Sequence, residues 1–241
     1  GCAGGRNDLL AYFLKTEDDY LIFLDNDAQI LPDTLRHLLT QMEQADHIGV
    51  IGLKAYYRDR PNIFWSRGGA IFNPWEGRFE RLGQKEEDRG QYEKAEEIDS
   101  VPGGFTFMKR EVAAKVSQID ERYFIYFEDS DWCFKVREAG FRIVTSEKAR
   151  VIHKASSSLG MESPLFYYYR TRNLFLFMAD HASKYSLFFY LKYFFIFLPR
   201  ALLRLCLSRQ YRQISGIFLG MYDFWHKKWF ICEHPLLASK S

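Results

Sequence analysis

The sequence has little cysteine, and what it has is badly spaced for a cluster. Cys2, Cys133, Cys206 and Cys232 are scattered through 241 residues with no C-x-x-C pair. That argues against a zinc cluster or a disulfide framework and fits a reducing compartment. Long uncharged apolar runs are also lacking. In the C-terminal third they stop at about seven residues, against the roughly 18 expected of a spanning helix. There is no internal repeat, no signal-peptide pattern and no initiator Met, so the opening Gly1-Cys2-Ala3-Gly4-Gly5 reads as an N-terminal truncation. Net charge is small as well, at +2, which excludes a uniformly basic nucleic-acid binder.

That near-neutral total hides an uneven distribution. Residues 161–241 hold 21 of the 42 Phe, Trp and Tyr residues, and 11 Lys and Arg against 4 Asp and Glu. The first 160 residues hold 22 basic against 27 acidic residues. An acidic globular part, 1–160, is therefore expected to precede a basic, aromatic, helical region, 161–241. Basic plus aromatic character suits an anionic membrane surface as well as nucleic acid. We expect the membrane surface, through 185–230, and no nucleic-acid partner.

The chain is organised around Leu21-Ile22-Phe23-Leu24-Asp25-Asn26-Asp27. An uninterrupted apolar run bounded by charge reads as a buried strand, here ending in two carboxylates one residue apart. In an α/β sheet the carboxyl ends of strands are where ligands collect. Hard oxygen donors placed there suit Mg²⁺ or Mn²⁺. The plainer reading is a strand followed by an acidic turn.

Before it, Gly1, Gly4 and Gly5 read as a loop, with Asn7 capping a helix from Asp8 to about Lys15. A glycine-rich loop opening a helix can cradle phosphate, which makes Arg6 and Asn7 binding candidates. After it come a helix opened by Pro32, with Leu35, Leu38, Leu39 and Met42 as its apolar stripe, and a buried strand over 48–53. Residues 54–100 show little pattern beyond a strand at 70–72 and a solvated acidic run at 84–97. Gly103-Gly104 before an alternating strand permits close backbone approach to a ligand, or simply turns the chain. Then Glu128-Asp129-Ser130-Asp131 opens a helix closed by Gly140. Acidic residues suit a helix N-terminus, but three carboxylates in four positions exceed what a cap requires. Their repulsion should raise a pKa, as a general base needs. A strand over 149–152 delivers His153, either a hydrogen-bonded core residue or a metal ligand.

In the tail, 187–207 is interrupted by Lys192, Pro199, Arg200 and Arg204. At about 100° per residue the three cations share an arc of about 120°, the pattern of a helix lying in a membrane interface. A buried aromatic core or a subunit interface, giving a homo-oligomer, is the alternative use of the same residues.

Taken in order, Gly4-Gly5-Arg6-Asn7, Leu24-Asp25-Asn26-Asp27 with Pro32, Pro102-Gly103-Gly104, Asp120-Glu121 with Tyr123-Phe124, Glu128-Asp129-Ser130-Asp131, Ala139-Gly140-Phe141, His153 and Arg172-Asn173 resemble the family 2 glycosyltransferases, in their rhamnosyltransferase-like branch. The resemblance covers roughly residues 1–175. It implies a GT-A fold, α/β and Rossmann-like, with a mainly parallel sheet flanked by helices. It also implies a nucleotide-diphosphate sugar as donor and a saccharide or lipid-linked acceptor, in cell-surface polysaccharide synthesis at the cytoplasmic face of the plasma membrane. Asp25 and Asp27, with His153, would hold Mn²⁺ or Mg²⁺. Asp129 would be the base of an inverting transfer, while Glu128 and Asp131 orient the acceptor or keep Asp129 basic. Gly103 and Gly104 would line the cleft with Arg6 and Asn7. The strand with which such enzymes read the nucleotide base is missing here.

Two rivals remain at this point. Residues 21–30 also resemble the first motif of haloacid-dehalogenase-type phosphatases, with Asp25 as nucleophile, although Gln29 stands where Thr or Val is expected. The other rival is a non-catalytic, membrane-associated interaction module.

Overall fold

The computed structural model describes residues 1–44, 47–154, 163–234 and 237. The boundary expected near residue 160 lies outside them. The chain opens with helix α1 (Cys2–Phe13), strand β1 (Tyr20–Leu24), strand β2 (Ala28–Ile30) and helix α2 (Thr34–Glu43). Strands β3 (Ile48–Tyr57), β4 (Arg60–Arg67), β5 (Ala70–Asn73), β6 (Arg78–Arg81) and β7 (Phe105–Lys109) follow. Then come α3 (Arg110–Lys115), α4 (Glu128–Glu138) and the long β8 (Arg142–His153). The C-terminal helices are α5 (Pro164–His181), α6 (Ser186–Lys192), α7 (Leu198–Leu207) and α8 (Tyr211–Trp225).

The main sheet has six strands in the order β1-β7-β3-β8-β2, with β4 paired to β3. Its mixed character corrects the mainly parallel expectation: β3 and β8 pair in parallel, and every other pairing in this sheet is antiparallel. Short turns explain part of this, because β1 to β2 and β3 to β4 are joined by two or three residues, enough only to reverse direction. Strands β1, β3 and β8 still run the same way, since β1 and β3 both pair antiparallel to β7. The end of β1, the end of β8 and the start of β7 therefore meet at one edge.

Side-chain alternation splits the core between the two faces. Phe23, Val50, Met108 and Ile143 pack with α1, α3 and α4 through Leu10, Phe13, Val112, Trp132 and Val136. Ile51, Leu53, Phe107 and Val144 face the other way, onto Leu38 and Met42 of α2. Each such buried side chain contributes about 1.5–3 kcal/mol.

Two further expectations change. The supposed opening loop is helical from Cys2, whose N–H donates to Phe124 O at 2.8 Å, and Ala3 is buried. Asn7 consequently lies inside α1 and caps nothing. The acidic run at 84–97 is solvated as expected, with most of its residues exposed, and is also pinned: Arg67 donates to both oxygens of Glu96 at 2.6 and 2.7 Å, and Tyr56 donates to Asp88 at 2.5 Å.

The C-terminal helices are built onto the rest. Phe177 and Leu176 of α5 pack against Tyr123, with Phe72, Phe79, Phe127 and Phe134 around them. Helix α8 lies against α5 through Gly216 and Gly220, where a Cβ would come within 2.3 Å of Pro164 O and 2.5 Å of Tyr168 O. Helices α6 and α7 are joined through a π-helical turn, Tyr193–Phe197. The resulting helix, Ser183–Leu207, is long and apolar enough to cross a membrane. The expectation drawn from uninterrupted runs alone missed this, because mean hydropathy tolerates a few dispersed charges.

Candidate active site

At the shared sheet edge the chain leaves β1 in a tight turn, with Ala28 N–H donating to Asp25 O at 3.0 Å. Strand β2 pairs Ala28 with His153 at the end of β8, which carries Asp27 beside the histidine. His153 Nε2 lies 3.2 Å from Asp27 Oδ1, and one ligand atom from each of Asp25, Asp27 and His153 falls within 4.8 Å of the others. Burial lowers the His153 pKa, outweighing the pull of Asp27 and Asp25, which leaves a neutral imidazole. Its Nδ1 is buried without a hydrogen-bond partner. Two carboxylates and a neutral imidazole fit Mn²⁺ or Mg²⁺.

The glycine pair is where close approach is required. A Cβ on Gly104 would sit 2.1 Å from Asp25 Cγ, and one on Gly103 would sit 2.3 Å from Arg6 Nη1. Gly103 N–H donates to Asp129 Oδ2 at 3.1 Å. The other Asp129 oxygen accepts from Ser130 N–H at 2.8 Å. Asp129 is half-buried, so an acceptor hydroxyl can reach it.

Glu128 is different. It is buried and accepts from Arg6 Nη1 at 2.9 Å, while its second oxygen has no partner. Burial, reinforced by the charge of Asp129 and opposed by Arg6, raises its pKa to about 7. Burial weakens the Arg6 charge, but Glu128 and Asp129 outweigh that and raise its pKa. Helix α1 thus brings a guanidinium to the base of α4, beside Gly103.

Asn7 and Asp131 are engaged elsewhere. Asn7 exchanges hydrogen bonds with both backbone groups of Ile119 and donates to Glu121. Asp131, fully buried, meets His181 Nε2 and Lys135 Nζ at 2.7 Å each. Two residues beyond Asp129 on a helix, it points towards α5 and belongs to a separate cluster with Asp120 and Asp180. Arg122 and Lys135 neutralise that cluster, and His181 hydrogen-bonds to it.

Trp65 and Arg81 went unnoticed in the sequence. The Trp65 ring stands edge-on to His153 at 4.7 Å, and the Arg81 guanidinium lies 4.1 Å over it. Both come from the stretch at 54–100, where no local pattern marks them.

Residues 1–117 match the model of glycosyl transferase family 2. The N-acetylglucosaminyl-diphospho-decaprenol L-rhamnosyltransferase of Mycobacterium tuberculosis is 25% identical over 188 residues, 69% of this chain and 57% of that protein. The dTDP-rhamnosyl transferase RfbF of Shigella flexneri is 23% identical over 189 residues, 75% of this chain and 60% of that protein. The chain therefore spans less than two thirds of these relatives' length. The structure of GalNAc-T7 with UDP, GalNAc and Mn²⁺ superposes at a TM-score of 0.59 with 15% identity, covering 79% of this chain and 36% of that one. Staphylococcal TarS (S. aureus, 1–349) superposes at 0.50 with 16% identity, covering 95% and 62%. The fold is the expected GT-A fold, and nothing in these likenesses favours the phosphatase alternative.

Proposed function

The chain belongs to glycosyl transferase family 2, and from that premise we propose that it moves a sugar, with inversion, from a nucleoside diphosphate to a saccharide or lipid-linked acceptor of a cell-surface polysaccharide. The observation that carries this is the convergence of Asp25, Asp27, His153, Arg6 and Asp129 around Gly103 and Gly104.

In this reading Asp25, Asp27 and His153 hold Mn²⁺ or Mg²⁺. When bound, the ion neutralises charge on the departing diphosphate. Arg6, fixed by Glu128, offers its remaining N–H groups to the donor. Asp129 takes the acceptor's hydroxyl proton as that oxygen bonds to the anomeric carbon and the bond from that carbon to the diphosphate oxygen breaks. The Gly103 N–H and the start of α4 hold the Asp129 carboxylate in place. The two rhamnosyl-transferring relatives support rhamnose as the sugar.

The exposed side chains Leu187, Phe195, Leu203 and Leu207 support attachment to a membrane. Lys192 reaches Glu76 at 3.6 Å and Arg204 donates to Tyr167 at 2.7 Å, so these two cations turn towards the rest of the chain and leave the exposed apolar side chains outermost.

The test is calorimetric titration of UDP and dTDP with and without Mn²⁺, beside single-turnover transfer. Manganese-dependent binding lost in Asp27→Ala, and transfer lost but binding kept in Asp129→Asn, is the expected result. Full transfer by Asp129→Asn would falsify the assignment of the base.

A further inference from the structure

The hairpin of β5 and β6 touches three parts of the molecule that lie far apart in the chain. Its turn is seated on α6. The Trp75 ring stands edge-on to Tyr185 at 4.9 Å and to Phe188 at 5.2 Å, and Glu76 lies 3.6 Å from Lys192. Gly77, at φ 59°, lets the turn close on Phe189, since a Cβ there would come within 2.6 Å of that ring.

The rest of the hairpin reaches the active site. Phe79 packs against Phe177 of α5 at 5.2 Å and against Phe127 at 6.1 Å, and Phe127 directly precedes Glu128 and Asp129. Arg81, the last residue of β6, lies 4.1 Å over the Trp65 ring, which stands edge-on to His153 at 4.7 Å. The two strands have four residues each and pair with each other, not with the main sheet. A two-stranded hairpin of that size has little stability of its own. Ala70 and Phe72 pin its base, by donating to Ser100 O and to the Asp99 carboxylate, whereas its turn depends on α6.

The chain itself gives α6 little cover. Only 11% of the apolar window within Ser183–Leu207 is buried. Leu187, Phe188 and Leu191 are exposed, and Trp75 beside them is 48% exposed, so the hairpin turn shares this apolar surface. Hydrocarbon takes up such side chains and makes the backbone hydrogen bonds of a helix obligatory, where water competes for them. An indole next to such a helix suits the headgroup level. A bilayer against this face therefore steadies α6 and, with it, the seat of the hairpin.

We propose that the β5–β6 hairpin couples membrane attachment to the active site. A lipid bilayer held by α6 and Trp75 fixes the turn, and the fixed hairpin keeps Arg81 over Trp65 and Phe79 against Phe127. Trp75 is a positioning residue in this arrangement, acting through the hairpin. The proposal rests on the glycosyltransferase reading and deepens it, as a regulation of the same site.

The test adds vesicles of phosphatidylcholine and phosphatidylglycerol to the full chain. It reads amide hydrogen exchange over residues 70–82, dTDP binding with Mn²⁺, and release of dTDP from dTDP-rhamnose with water as acceptor. Vesicles should slow exchange over 78–82 about tenfold and speed release about fivefold, with dTDP affinity unchanged. Trp75→Ala should still sediment with the vesicles through Leu187, Phe195, Leu203 and Leu207, yet show neither change. Trp75→Phe should recover both. Wild-type exchange that vesicles leave unchanged overturns the proposal. So does Trp75→Ala responding as wild type does, or slowed exchange with no gain in release by protein that binds dTDP. If exchange slows through Trp75 but neither dTDP nor UDP binds with Mn²⁺, the glycosyltransferase reading falls and the coupling of hairpin to membrane stands.

Discussion

Asn173 Nδ2 lies 2.7 Å from Tyr123 O, 2.8 Å from Ile125 O and 2.8 Å from Tyr126 O, so one amide on α5 holds the loop that leads into α4. Its neighbour Arg172, fully buried, donates to Arg122 O and Tyr123 O of the same loop and to Phe230 O. The loop needs holding, because Phe124, Tyr126 and Phe127 all have positive φ, at 61°, 65° and 71°. Non-glycine residues in such conformations cost roughly 1–3 kcal/mol each.

Asn173→Ala should therefore destabilise the fold by about 3 kcal/mol, through buried carbonyls left unpaired. Glu128 and Asp129 directly follow the loop, so kcat should fall much more than nucleotide affinity. Thermal melts and single-turnover assays at equal folded fraction check this. Equal losses in both parameters would refute a positioning role.

The pKa of Glu128 makes stability depend on pH in a set direction. Its folded value, raised from 4.5 to about 7 by burial and Asp129, means the folded state binds this proton more tightly than the unfolded state does. Its contribution is present below about pH 4.5 and lost as pH rises through about 7. Wild-type stability should decline across that window by on the order of 3 kcal/mol from this group. Glu128→Gln should flatten the decline, as read by melting temperature from pH 4.5 to 8.

Gly104→Ala places a Cβ 2.1 Å from Asp25 Cγ, so the carboxylate must move. We expect manganese-dependent nucleotide affinity to fall about tenfold or more with little change in melting temperature. Gly5 is the matched control. A Cβ there meets nothing within 4 Å, and Gly5→Ala in α1 should stabilise by roughly 0.5–1 kcal/mol.

Phe195 and Leu207 are both 77% exposed. Full-length protein should co-sediment with vesicles containing anionic lipid, and a Phe195→Glu, Leu207→Glu variant should remain in solution with its nucleotide binding intact. Sedimentation of that variant at wild-type levels would remove the apolar face as the anchor.

Local pattern determined a good deal by itself. Leu21 to Asp27 reads from its apolar run alone as a strand ending in carboxylates, although β1 is an edge strand in which only Phe23 is buried and Leu24 is 40% exposed. The ordered motifs marked Asp25, Asp27, Arg6, Gly103, Gly104, Asp129 and His153, and all of them stand at one sheet edge. Periodicity carries no strand direction, so the antiparallel β7 between β1 and β3 was out of reach. Nor does spacing along a helix say what lies opposite. Asp129 and Asp131 look equivalent in the chain, yet Gly103 receives one and His181 the other. Only the tertiary structure could bring Trp65 and Arg81 from an unpatterned stretch to His153, and close α5 over the loop before Glu128. Those contacts join residues far apart in sequence, and packing alone decides which side chains meet.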